Sequence, residues 1–199
     1  MHKPAITQEP IDATIAARWS GRAYDGQKVV SKEQIIALLE AARWAPSCYG
    51  DQPWRFVVWD KNADADDWQK AFDCISPGNQ PWVKDAPVLV LACADTLFNH
   101  NQQPNRWAEY DTGAAAENLC LQAASMGLMA HQMGGFSPDA AREAFQVPEQ
   151  YTLMAMISVG YPAEISSLEG DVLSRETAER KRRPLNELFF ANGWNQPVV

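Results

Sequence analysis

The sequence predicts an α+β layer fold, and three observations carry that expectation. Short apolar runs rich in β-branched and aromatic residues alternate with longer segments of helical periodicity. No glycine-rich turn joins a first strand to a first helix, so a dinucleotide-binding fold of the GxGxxG kind is not supported. The 199 residues, 46% of them apolar, are enough for one compact domain over 1–199, with no linker, repeat or low-complexity tract to divide it. The expected plan is a core over residues 9–165 and a C-terminal tail over residues 174–199.

The elements follow in order. Ile11 to Trp19 can form a short helix. Ser31 with Gln34 three residues on makes a capping box, and Ile35, Leu38, Leu39 and Ala42 supply the apolar stripe of a helix that Pro46 stops. Trp54 to Trp59 reads as a strand. Asp64, Asp66 and Asp67 suit the N-terminus of a helix running to Cys74, where acids meet the positive end of the dipole. Pro87 to Cys93 is short and nearly all apolar, as in a strand buried on both faces. Asp111 to Met126, rich in Ala and Leu, predicts a long buried helix ended by Gly127. Leu128 to Met133 is a strand. Ser137-Pro138 places an N-cap and an N1 proline before another helix. Thr152 to Val159 is the last strand. From Ser174 the tail is polar and basic, then amphipathic at Leu185, Leu188, Phe189 and Phe190.

Charge narrows the function classes. The formal net charge is −8, which argues against nucleic acid or an anionic membrane as partner, since both are polyanions. Cys48, Cys74, Cys93 and Cys120 form no CxxC pair, so no zinc site or redox dithiol is expected. Cys93 and Cys120 read as small core residues. Met1-His2-Lys3-Pro4 opens no signal-peptide pattern, and no run approaches a transmembrane length, so the expected location is the cytoplasm with reduced thiols. His2, His100 and His131 make no dyad or metal pattern, and His131 reads as structural.

Four constellations carry chemistry. Arg18-Trp19-Ser20-Gly21-Arg22 puts two guanidinium groups and a hydroxyl at a helix end, suited to a phosphate, although such a set taken alone is more often a solvated helix terminus. Ala45 to Arg55 is a loop with two prolines, small residues and many hydrogen-bonding groups, a binding loop or a tight turn. Gln132-Met133-Gly134-Gly135-Phe136 pairs glycines after a strand, where a flat ligand or another backbone can come close. Arg180-Lys181-Arg182-Arg183-Pro184 is a basic run in an acidic chain, and the apolar residues after it suggest docking rather than a solvated tail.

In this order and spacing the segments resemble the nitroreductase family of flavin mononucleotide (FMN) enzymes. The resemblance rests on Arg18/Ser20/Arg22, Pro46-Ser47-Cys48 with Gln52-Pro53-Trp54, Gly134-Gly135-Phe136, Gly160-Tyr161-Pro162, and Arg180/Arg182/Pro184, and covers residues 9–190. It implies a central, mostly antiparallel sheet flanked by helices, with a C-terminal tail reaching the partner subunit of a homodimer. It implies FMN as cofactor, bound at the subunit interface, NADH or NADPH as electron donor in ping-pong turnover, and a nitroaromatic, quinone or similar electron-poor acceptor. A flavin-binding sensor or store without turnover is the alternative, and a module docking an acidic partner a further one.

Site roles follow from the same resemblance. Arg18, Ser20, Arg180 and Arg182 would hold the FMN phosphate. Arg22 and Asn79 would meet the pyrimidine edge of the flavin, where a guanidinium favours the anionic reduced form. Pro46, Ser47, Cys48 and Gln52 would line the cofactor from the partner subunit. Met133, Gly134 and Gly135 would bring backbone N–H near N5. No protein acid, base or nucleophile is required. Three departures stand out: Cys48 replaces a serine, Gly50 an asparagine, and Trp82 falls where some members carry a lysine near the flavin. With Arg22 left alone there, the reduction potential is expected to lie below that of members with both cations; potentiometry giving a higher value would refute this. The tail residues Leu185, Leu188, Phe189, Phe190 and Trp194 would need a covering surface, supplied by a dimer or by the chain's own core.

Overall fold

The structure, a computed structural model, describes residues 3–199; Met1 and His2, and with them the reading of the extreme N-terminus, lie outside the described residues. Four strands form one sheet in the order β1-β2-β4-β3: β1 (Trp54–Asp60), β2 (Val88–Asp95), β3 (Met129–Met133) and β4 (Tyr151–Gly160). Every pairing is antiparallel. A bulge at Ala92/Cys93 shifts the β2–β4 register, so that Met154 is passed over between Ala155 and Leu153.

Helices cover both faces, and the two-residue strand period sorts the core. Val88, Val90 and Ala92 of β2 pack with Leu38 and Ala42 of α2 (Lys32–Arg43) and with Ala115, Ala116, Leu119 and Ala123 of α5 (Ala108–Ser125). Leu89, Leu91 and Cys93 point the other way, onto Trp68 and Ala71 of α3 (Ala65–Asp73), Trp82 of α4 (Gln80–Val83) and Ala141 of α6 (Pro138–Phe145). The whole of β2 is buried, which explains why its sequence does not alternate. Cys74, Cys93 and Cys120 are buried free thiols. Burial raises the Cys93 thiol to about 11 and the Cys120 thiol to about 12, so both stay protonated and unreactive.

The capping signals work as local chemistry predicts. Both bonds of the Ser31/Gln34 box are present. The Asp64 carboxylate accepts from Asp67 N–H, and Ser137 caps α6 with Pro138 at its start. Ser31→Ala is expected to cost about 1 kcal/mol in chemical denaturation, the usual worth of an N-cap, without changing the m-value.

Several boundaries differ. The first helix, α1, is only Ala13–Ala17, capped by Asp12. Helix α5 begins at Ala108, one turn before Asp111, because Trp107 and Asn105 organise its start. Two helices carry no clear sequence signal: α4, whose four residues are too few for periodicity, and α7 (Gly170–Thr177), whose buried residue is the acid Glu176. The tail beyond Pro184 forms a short 3-10 turn at Leu185–Glu187 and a Phe190–Pro197 bridge. Leu185, Leu188, Phe189 and Trp194 remain exposed on this chain.

Candidate functional site

Ends of the chain that lie far apart in sequence meet in one cavity of about 320 Å3. Arg18, Ser20 and Arg22 line it from the segment after α1, and Arg180 and Arg182 from the tail. Lys3, Arg175 and Lys181 join them, making seven cations against one lining acid, Glu179. In a chain of net charge −8, such a concentration is costly without an anion to answer it. Burial, and then the neighbouring Arg18 and Arg182, lower the basicity of Arg180. Burial and Arg175 lower that of Arg22, opposed by Glu176.

The cations are held in different ways. Arg18 Nε pairs with Glu117 Oε1 of α5 at 3.2 Å. Arg180 spends its fork on backbone: Nη1 donates to the carbonyls of Lys3 (2.5 Å) and Ala16 (3.1 Å), and Nη2 to that of Arg18 (3.1 Å). It therefore binds the tail to the end of α1 and shapes the cavity as well as lining it. Among the described residues, Arg182 bonds only to the carbonyl of Lys181, at 2.9 Å, and its other donors have no protein acceptor.

A chain of contacts leads from this cavity to the paired glycines. The Arg22 guanidinium lies 5.8 Å from the centroid of the Trp82 ring. Trp82 stacks on His131 at 4.6 Å and on Tyr24 at 6.3 Å, and is 1% exposed. The position expected to face a flavin is thus a core position, filled by an indole that props Arg22 from below. Three residues earlier, at the start of α4, Asn79 Nδ2 donates to the carbonyl of Gly135 at 3.3 Å. A Cβ at Gly135 would lie 2.6 Å from that same Nδ2, so only glycine permits the approach. Gly134 is exposed, and a Cβ there would meet nothing within 4 Å. Among the described residues, neither the Gly134 nor the Gly135 N–H has a protein acceptor. Met133 turns its side chain into the core, 4% exposed, so only its backbone is available to a ligand.

The loop after α2 is a separate, strained unit. Ser47 Oγ accepts from Gln52 N–H (3.0 Å), and Cys48 N–H donates to Asp111 Oδ2 of α5 (2.9 Å). Tyr49 (φ 56°), Gly50 (φ 65°) and Gln52 (φ 51°) all adopt left-handed backbone. That conformation suits glycine and asparagine above other residues, which gives Gly50 a physical reason to stand where the family resemblance implies asparagine. Pro46, Ser47, Cys48 and Gln52 line no part of the basic cavity on this chain. Tyr49 stands 86% exposed beside Phe98 and His100.

His131 is packed, not poised. It is 8% exposed, and its Nδ1 lies 2.9 Å from the carbonyl of Gly21, which requires the proton on Nδ1. Burial pushes its pKa down to about 4. The unfolded chain, at about 6.5, takes the proton first as pH falls. Stability is therefore full above pH 6.5 and is lost as pH falls toward 4, by roughly 3 kcal/mol. Denaturation measured from pH 7.5 to 4 is expected to show this loss, and His131→Asn to flatten it.

Family comparison agrees with this geometry. The model of the nitroreductase family matches residues 15–161. The chain belongs to the nitroreductase family. It is 31% identical over 163 residues to a protein of Methanothermobacter thermautotrophicus provisionally named an NADH dehydrogenase/NAD(P)H nitroreductase, covering 80% of this chain and 81% of that one. It is similar to an oxidoreductase solved with FMN, at a TM-score of 0.89 and 34% identity over 96% of each chain. A provisionally named nitroreductase from Desulfovibrio desulfuricans, solved in complex with FMN, matches at a TM-score of 0.70 and 26% identity, covering 94% of this chain and 99% of that one. The matched span takes in Arg18, the loop, Asn79 and the glycine pair, and ends before the tail cations. No helix among the described residues is long and apolar enough to cross a membrane.

Proposed function

We propose that this protein is an FMN-dependent oxidoreductase, driven by NADH or NADPH in ping-pong turnover, that reduces nitroaromatics, quinones or similar flat, electron-poor acceptors. The observation that carries the reading is the basic cavity joining Arg18, Ser20 and Arg22 to Arg180 and Arg182. Its donors suit a phosphate monoester: a hydroxyl, open guanidinium protons on Arg182, and an excess of positive charge. The solved relatives that contain FMN support the same assignment.

When bound, FMN supplies the electron exchange between nicotinamide and acceptor. The chain's residues bind and orient it. Arg18, Ser20 and Arg182 hold the phosphate, and Arg180 fixes the walls around it. Arg22 meets the pyrimidine edge, and Asn79 adds a hydrogen bond there, its Oδ1 having no donor among the described residues. Gly134 and Gly135 offer free N–H groups and leave one face open to the reacting partner. Met133 contributes backbone only.

The active unit in this reading is a homodimer acting in the cytoplasm, with the FMN sites at the subunit interface. Pro46, Ser47, Cys48 and Gln52 reach the cofactor of the partner subunit, which accounts for their separation from the basic cavity of their own chain. The exposed Leu185, Leu188, Phe189 and Trp194 cover the partner. Sedimentation giving a monomer at micromolar concentration would count against the shared site.

The decisive test is the visible spectrum of the purified protein before and after NADH or NADPH under argon. A flavin spectrum that bleaches supports the reductase. A flavin that neither nucleotide reduces would make the protein a flavin carrier, and a colourless protein that takes up no added FMN would overturn the reading.

A further inference from the structure

Helix α7 buries one residue, and it is a carboxylate. Glu176 is 1% exposed. An acid so placed is retained only where its charge and lone pairs are answered, because an unpaired buried charge costs several kcal/mol. Glu176 Oε2 accepts the backbone N–H of Arg22 at 2.9 Å and lies 3.9 Å from its Nη1. Oε1 is 3.3 Å from the point where a Cβ on Gly21 would stand. The carbonyl of Glu176 accepts from Lys3 Nζ at 2.6 Å. The acid therefore holds both the backbone and the side chain of Arg22, while Trp82 supports the guanidinium from another side.

From this geometry we infer that Glu176 is a positioning residue that sets the Arg22 guanidinium and lowers the reduction potential of the bound flavin. The inference rests on the placement of Arg22 at the pyrimidine edge. Two consequences follow from elementary electrostatics. A fixed carboxylate beside Arg22 cancels part of its field, so the anionic reduced cofactor gains less from the guanidinium than it would from an unpaired one. The same carboxylate also removes the freedom of a long side chain, which keeps the weakened charge in one place. Glu117, the partner of Arg18, is about half exposed, so solvent screens that pair far more.

The test uses the holoprotein and compares midpoint potentials. Glu176→Gln keeps an oxygen to accept the Arg22 N–H and removes the charge. It is expected to raise the affinity for reduced over oxidised FMN about tenfold, which is about 30 mV for a two-electron couple. Glu40→Gln, the same charge change on the exposed face of α2, is expected to leave the potential unchanged. Glu176→Asp keeps the charge, shortens the reach and is expected to weaken FMN binding with little gain in potential. A folded Glu176→Gln protein that binds FMN at the wild-type potential would overturn the inference. If Glu176→Gln does not fold, a Glu176→Asp holoprotein with wild-type FMN affinity would overturn it.

A second arm needs no cofactor. In the apoprotein, the Arg22 amide is expected to be protected from hydrogen exchange, and Glu176→Ala to remove that protection. Protection that Glu176→Ala removes, in a protein that never binds FMN, would leave the contact standing and locate the failure in the cofactor assignment. An Arg22 amide that is unprotected in the folded wild type would sink the positioning role itself.

Discussion

Replacing Arg18 and Arg182 together with alanine is expected to lower FMN affinity by about two orders of magnitude, from roughly 1–1.5 kcal/mol per partly exposed charge-assisted contact. Arg182 is the better tail residue to test because, among the described residues, its guanidinium has a single backbone acceptor. Removing Arg180 would unfasten the carbonyls of Lys3, Ala16 and Arg18 and confound binding with local structure. Loss of Arg18 leaves Glu117 unpaired, but that side chain is 46% exposed and water replaces the partner. Fluorescence titration of apoprotein with FMN at two salt concentrations reads the effect. The double variant should also show a shallower salt dependence, since two of the charges that attract the phosphate are gone. Unchanged affinity would remove the basic cavity from the cofactor assignment.

Gly160→Ala is expected to lower stability strongly. Gly160 ends β4 opposite Met129, and a Cβ there would stand 2.6 Å from Pro87 Cδ and 2.9 Å from Tyr24 Cδ1. Both neighbours are rings. Tyr24 is 3% exposed and fixed by a 2.9 Å bond between its hydroxyl and Ser158 Oγ. Neither can turn aside as a flexible chain could, so the cost is roughly 3 kcal/mol, at the upper end for overpacking. At this chain length that corresponds to a Tm lowered by about 6–12 °C. Gly134→Ala is the matched contrast. A methyl there enters open space, so the Tm should hold within about a degree while FMN or acceptor binding changes. Calorimetry on the two variants separates a glycine kept for packing from one kept for a ligand; equal Tm values would refute the distinction.

Much of the candidate site was legible in the sequence because it consists of local motifs. Arg18, Ser20 and Arg22 are neighbours, and so are Gly134 and Gly135, so residue type and spacing expose them without a fold. Glu176 was not legible. It sits in a polar stretch with no apolar period, and nothing local distinguishes a buried acid from the exposed Glu179 three residues on. Trp82 was legible only as a residue type. Its place among Tyr24, His131 and Arg22 depends on two other parts of the chain.

The sequence by itself determined the elements with strong local signals: the capped helices at Ser31 and Ser137, the all-apolar strand at Val88–Asp95 and the long alanine-rich helix. These depend on interactions within a few residues, such as a cap bond or the period of one face. Only the tertiary structure decided that the sheet runs β1-β2-β4-β3 and that the basic tail closes on the segment after α1. It alone decided that Arg22 is answered by a carboxylate 154 residues away. The physical reason is the same in each case. Strand order, a cluster of like charges and a buried ion pair gain or lose free energy through groups distant in the chain, and their sum is settled only when the layers pack.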